Sequence, residues 1–474
     1  MHAGRRDGLM NTTASTLRLL ERYDRSGPRY TSYPTAVEFH PGVTHDTYVE
    51  RLARLNAAGD QPLSAYVHLP FCEERCAFCG CNVVITPHRE VAGRYLDAVE
   101  QEIDLLAEHL PRQRTIAQMH WGGGTPTYYM PDQLGRLFAR IAKQFSFTRD
   151  AELGIEIDPR VTSVAHLDLL RSLGFNRLSM GVQDFDPAVQ RAINRLQGYE
   201  QTRDLIRHAR ALGFSSINVD LIYGLPHQTP STFGATLGQV LTLRPDRVAA
   251  YSFAFVPWMS AHMKDIDRAA LPPPDVKLAL LAATVDAFTA AGYRQIGVDH
   301  FALPSDELSR AVDSHTLHRN FMGYTVKSTA DLVAVGVSAI GHVRGAFVQN
   351  TKKLPEYHEA VAAGRFPIHR GCELSEDDEI RRHVITELMC NFRLDVPAVE
   401  RQFAIRFADY FASELNALAA PGDSPAADGL VWVQPHRIEV TAIGRVFVRN
   451  ICMVFDTYHA SRAGGPKPVF SRTV

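Results

Sequence analysis

Short apolar runs alternate with amphipathic stretches through the middle of the chain, and the period changes from run to run as it does in strand–helix units. The strand candidates are LSAYVHL (63–69), IAQMHW (116–121), ELGIEI (152–157), NRLSMG (176–181), INVDLI (217–222) and RVAAYSFAF (247–255). Helical spacing occupies 91–110, 131–144, 199–212 and 230–243 between them. Gly174 and Gly213 close two helical stretches, where a left-handed stop favours glycine. Six such units predict an α/β fold with a parallel sheet and right-handed crossovers, a full or partial (β/α)6 TIM-like barrel. Polar residues collect after successive strands: cysteines after the first, glycines after the second, Glu156 and Asp158 at the third, Gln183 after the fourth, Asp220 in the fifth. Such a collection marks the catalytic mouth of a barrel.

Outside this pattern lie two other regions. The segment GPRYTSYPT (27–35) carries glycine and prolines that predict an ordered irregular strip. Beyond residue 364 the spacing turns helical over 376–389 and 396–418, then gives GLVWVQ and RIEVTAIG across a Pro435–His436 turn, a hairpin. The expected division is an N-terminal segment 1–55, a catalytic barrel 56–360 and a small, mainly helical C-terminal domain 361–474.

Composition narrows the class. An apolar fraction of 45% and a charged fraction of 22% are those of a globular protein, and a net charge of -2 without like-charge blocks gives no nucleic-acid footprint. MHAGRRDGLMNTTAST has no apolar core for a secretory signal, and the best apolar run, 278–290, contains Asp286 and is too short to span a bilayer. The expectation is a cytoplasmic protein. Four of seven cysteines fall between 72 and 81; Cys372, Cys390 and Cys452 are read as buried small hydrophobes.

The cysteine motif is Cys72-Glu-Glu-Arg-Cys76-Ala-Phe-Cys79-Gly-Cys81, after the first strand. Three thiolates this close can grip a 4Fe–4S cube by three corners and leave the fourth iron to a small chelating ligand. Structural zinc competes, but it usually draws on two well-separated cysteine pairs; redox thiols are the third reading. Phe78 can pack on the cluster or on an adenine. In His120-Trp121-Gly122-Gly123-Gly124-Thr125-Pro126-Thr127, three glycines either make a tight turn or let the backbone approach a ligand, with free amides for a carboxylate. Glu156 can accept from an ammonium or a ribose hydroxyl, whereas Asp158 before Pro159 reads as a turn or cap. Gln183, Arg195 and Asp220 are individually ordinary surface or capping residues, yet as a set at one mouth they can hold a second charged ligand.

These residues resemble the radical S-adenosylmethionine superfamily, and the fuller pattern resembles the oxygen-independent coproporphyrinogen III oxidases. The match runs from GPRYTSYPT through YVHLPFC, HWGGGTPTY, IEIDPR, FNRLSMGVQDF, VDLIYGLPHQT, LHRNFMGYT and GVSAIG to RNICMVFDTY. The resemblance implies Cys72, Cys76 and Cys79 as cluster ligands with Cys81 unligated, and two S-adenosylmethionine molecules. The first would contact Tyr66, Gly123, Glu156 and Ile340; the second Phe78, Gly124, Thr125, Gln183, Arg195, Asp220 and Ala254. It implies a monomer fed electrons by a donor such as a flavodoxin or ferredoxin. The implied reaction cleaves S-adenosylmethionine to a 5′-deoxyadenosyl radical, which removes a hydrogen from a propionate β-carbon. Loss of carbon dioxide and an electron leaves a vinyl group, twice over, from coproporphyrinogen III to protoporphyrinogen IX.

One departure stands out: Phe253-Ala254-Phe255-Val256-Pro257 carries phenylalanine at 255 where the family commonly has histidine. It keeps a radical methyltransferase open. A haem chaperone of the superfamily also competes, although such relatives typically have an aromatic residue at position 81 and lack the 27–35 strip. Arg29, Tyr30 and Tyr33 on that strip are expected either to meet the anionic substrate or to serve the fold alone.

Overall fold

The computed structural model describes residues 14–59, 61–327, 329–461 and 470–473. The opening residues 1–13, most of the stretch read for a leader, lie outside them. Six parallel strands form the centre: β1 (Leu63–Leu69), β2 (Thr115–Gly123), β3 (Ser146–Ile157), β4 (Arg177–Gln183), β5 (Ser216–Tyr223) and β6 (Arg247–Ser252). They pair in that order. Burial on both faces explains why their runs do not alternate strictly; β1 is buried everywhere except Tyr66. Gly174 and Gly213 both take the left-handed conformation expected of helix stops.

Eight further short strands follow: β7 (Arg294–Ile296), β8 (His300–Ala302), β9 (His318–Asn320), β10 (Gly323–Thr325), β11 (Leu332–Val335), β12 (Ile340–Val343), β13 (Ala346–Asn350) and β14 (Ile368–Glu373). β9 and β10 make a separate hairpin. β11 adds to β1 in parallel, β12 to β14 continue antiparallel, and β8 and β7 extend the β6 edge. Among the described residues the resulting sheet has twelve strands with β14 and β7 at its two ends, so the parallel set is a partial barrel. No described helix is long and apolar enough to cross a membrane.

Three expectations need correction. β6 stops at Ser252 rather than 255, because Phe253 turns away to pack with Val189, Ile193 and Met263. β3 starts earlier, at Ser146. The single helix over 396–418 is three pieces, Val396–Phe403, Phe407–Tyr410 and Ala412–Ala419, since Ala404 adopts a left-handed φ of 53° and Phe407, Phe411 and Leu418 are each turned inward. The C-terminal hairpin forms, Val431–Gln434 against Arg437–Val440, with Arg393–Asp395 as a third strand. Cys372, Cys390 and Cys452 are buried.

Candidate active site at the strand ends

The cysteine loop leaves β1 and is tied down on several sides. Ala77 N donates to Ile193 O (2.9 Å), Asn194 Nδ2 to Arg75 O (3.0 Å), and His262 Nε2 lies 2.8 Å from Cys79 O. Cys72 Sγ is 3.4 Å from Thr125 Oγ1. Arg160 and Arg195 each direct a guanidinium N–H at Cys76 Sγ, at 3.7 and 3.6 Å. Asp158, read above as a turn or cap, does accept the Arg160 amide, but its carboxylate also bridges the two guanidiniums at 2.8 and 2.9 Å. The charges pull Asp158 below its ordinary range although burial opposes them. A hydrogen bond from Cys81 holds the Cys79 thiol below its ordinary value, and burial pushes Cys72 up to about 11.

The glycine run is close-packed against protein. A Cβ on Gly122 would meet the Glu156 carboxylate at 2.8 Å, one on Gly123 (φ 120°) the His68 ring at 2.6 Å, and one on Gly124 the Pro70 carbonyl at 2.5 Å. The expected free amides are not there: Gly123 N donates to Glu156 Oε2 (3.1 Å), Gly124 N to Leu69 O and Thr125 N to Phe71 O, both 2.9 Å. Missing side chains thus serve to bring the end of β2 onto its neighbours. Burial would raise Glu156, but His120 at 3.4 Å and the Gly123 amide hold its carboxyl below the usual value. Tyr66 stacks on His120, with its hydroxyl 3.0 Å from His68 Nδ1. Behind β1, the buried Glu102 accepts from Tyr357 Oη, Gly336 N and Asn350 Nδ2, which fixes the turn between β11 and β12; burial pushes it up to about 7.

Glu156 and Asp220 share a cavity of about 150 Å³ with His120, Ser179, Tyr251 and His300. Asp220 accepts from Asn218 Nδ2 (2.7 Å) and Ser179 Oγ (3.1 Å), and burial, then the Glu156 charge, pushes it up to about 6. Gln183, at a left-handed φ of 68°, and Arg195 flank Gly181 on the cysteine side. Phe78 packs on the Phe253–Met263 cluster together with Phe255; Ala254 follows β6. Ile340 opens β12 and packs with Phe39, Phe347 and Cys372. Tyr30 gives its hydroxyl to Asp456 and the Tyr33 hydroxyl lies 3.1 Å from Thr457 Oγ1, which ties the N-terminal strip to the C-terminal region, and Arg29 donates to Ser252 O.

Sequence reasoning missed Arg160 and His120. For His120 a signal existed: it shares a strand face with Gly122 by period 2, and Gly154 beside it on β3 has no Cβ to collide with its ring. Arg160 had none, because its approach to Cys76 spans 84 residues.

Residues 66–240 match the Radical SAM superfamily. Oxygen-independent coproporphyrinogen III oxidase of Escherichia coli (strain K12) is 48% identical over 447 residues, 94% of this chain and 96% of that protein. The chain belongs to the oxygen-independent coproporphyrinogen III oxidase family. The Synechocystis relative of the same description is 42% identical over 98% of this chain and all of its own length. A solved Escherichia coli coproporphyrinogen III oxidase, described as a radical SAM enzyme, superposes with a TM-score of 0.88 at 47% identity, covering 93% of this chain and 98% of that one. Membership implies a 4Fe–4S cluster and S-adenosylmethionine, and the donor set fits them. Three thiols lie on one loop, two guanidiniums face Cys76, and the buried Nε of Arg195 has no acceptor of its own.

Proposed function

We propose that this chain oxidatively decarboxylates two propionates of coproporphyrinogen III to vinyl groups, yielding protoporphyrinogen IX. The observation that carries this reading is near end-to-end identity of 48% to an enzyme of that description. Cys72, Cys76 and Cys79 hold the cluster and Cys81 stays off it. When bound, the cluster and S-adenosylmethionine supply a one-electron reduction and the abstraction of hydrogen from carbon. Two S-adenosylmethionine molecules are assigned. Tyr66, Gly123, Glu156 and Ile340 serve the first, the ionised Glu156 accepting from its ammonium or ribose. Phe78, Gly124, Thr125, Gln183, Arg195, Asp220 and Ala254 serve the second. The surrounding strand ends exclude water and fix orientation. The enzyme works as a cytoplasmic monomer with a flavodoxin- or ferredoxin-type donor.

The test is product analysis. Anaerobic holoenzyme given reductant, S-adenosylmethionine and coproporphyrinogen III should release two carbon dioxide molecules for each divinyl product. A methylated tetrapyrrole with all propionates intact would contradict the reading and favour a methyltransferase, the possibility that Phe255 keeps in view.

A further inference from the structure

A small cavity of about 50 Å³ lies among the N-terminal strip, the sheet rim and the C-terminal helices. Arg29, Arg319, Arg445 and Arg449 line it, against the single carboxylate of Asp299. Asp299 is itself paired with His300 at 2.7 Å. Burial would raise Asp299, yet His300, Arg319 and Arg29 hold it well below the usual carboxylate range. Among the described residues none of the four guanidiniums forms an ion pair. Arg449 spends its N–H groups on the backbone carbonyls of Gly27, Pro28, Arg472 and Thr473, and Arg29 donates to Ser252 O. Arg319 and Arg445 differ. Each guanidinium lies over an aromatic ring, Tyr324 at 4.8 Å and Phe392 at 4.5 Å, and each has a buried Nε without an acceptor. Arg449 is buried and Arg319 and Arg445 are half-buried, and one carboxylate among four guanidiniums leaves positive charge in excess; such charge is costly to bury, so the cavity suits an anion.

Its size sets the class of anion. A water molecule's share of liquid volume is about 30 Å³, so the space admits a carboxylate head and no ring. Its position sets the source. Tyr324, beneath Arg319, meets the His300 ring edge-on at 5.0 Å, and both line the cavity that holds Glu156 and Asp220. Arg319 also lines a larger neighbouring cavity of about 340 Å³. A tetrapyrrole presenting one propionate to the strand ends projects its others outward, toward cationic partners such as these.

We propose that the arginine-lined cavity is a carboxylate subsite, in which Arg319 and Arg445 hold a propionate of the tetrapyrrole that is not the one reacting. The proposal rests on the tetrapyrrole reading above. Charge-assisted bonds of this kind orient as well as bind, so the subsite positions the macrocycle for the reacting group.

The experiment is equilibrium binding of coproporphyrin III, the unreactive oxidised form with four carboxylates, to anaerobic holoenzyme, compared with protoporphyrin IX, which has two. Arg319→Gln and Arg445→Gln should each weaken coproporphyrin III about tenfold, the loss of one charge-assisted contact. They should also narrow its preference over protoporphyrin IX, and Arg319→Lys should restore part of both. A merely structural arginine would not move that preference. Unchanged affinity and preference in both glutamine variants overturn the subsite while leaving the decarboxylase reading intact; failure of wild-type holoenzyme to bind or convert any coproporphyrin form defeats the reading itself. Should the glutamine variants not fold, salt titration of wild-type binding decides: affinity should fall steeply with ionic strength, and a flat response overturns the subsite.

Discussion

The two cationic regions of the molecule are arranged in opposite ways. Beside the cysteine loop, Arg160 and Arg195 share the buried carboxylate of Asp158 and direct N–H groups at Cys76. Behind the Glu156–Asp220 cavity, four arginines face one aspartate already engaged by histidine. In the first region the chain supplies its own counter-charge, so guanidiniums are held rigidly against a sulfur ligand set. In the second a single carboxylate, Asp299, faces four guanidiniums around a cavity of about 50 Å³. Unequal neutralisation is what sets the two regions apart.

The sharpest break of this contrast is Asp158→Asn. It leaves the buried Arg195 without its carboxylate and Arg160 with only the exposed Glu74 at 4.0 Å, and should cost about 3–5 kcal/mol of stability, read from urea unfolding; a loss below about 1 kcal/mol would show that Asp158 is not the counter-ion. Next is Glu156→Gln, which removes a charged acceptor while keeping its shape. S-adenosylmethionine binding to the holoenzyme should weaken about 10- to 100-fold, measured by equilibrium dialysis, and an unchanged affinity would remove Glu156 from that site. A third effect, spread over the pH range, concerns Glu102, which belongs to neither arginine group. Its folded value of about 7 exceeds the ordinary 4.5, so the folded chain keeps a proton that the unfolded chain has lost. That stabilisation is complete below 4.5 and disappears as pH rises through 7, with a slope of at most about 1.4 kcal/mol per pH unit. Urea midpoints between pH 5 and 8 should show the decline, and Glu102→Gln should flatten it.

The central strands were legible because each carries a buried apolar stretch such as Leu63–Leu69, and the glycine, Glu156 and Asp220 positions follow from where those strands end. β7 to β14 were not: most have three to five residues, too short for a period to declare itself, and their pairing is dictated by partners far away in sequence. The broken helix over 396–418 escaped notice since Ala404 turns left-handed with no glycine or proline to announce it. The glycine run was legible as a close approach but not for what it approaches, because Glu156, His68 and Pro70 come to it only through the sheet register. Arg319 and Arg445 carry no local signal at all; what distinguishes them is a buried Nε without an acceptor, a property of the folded chain.

The central claim, that Cys72, Cys76 and Cys79 hold an iron–sulfur cube while Cys81 does not, is tested most directly by iron and acid-labile sulfide analysis of anaerobically reconstituted protein. Wild type and Cys81→Ser should each carry about four irons per chain, and serine at 72, 76 or 79 should abolish loading. A single bound zinc in place of iron, or loss of the cluster on changing Cys81 alone, would contradict the account.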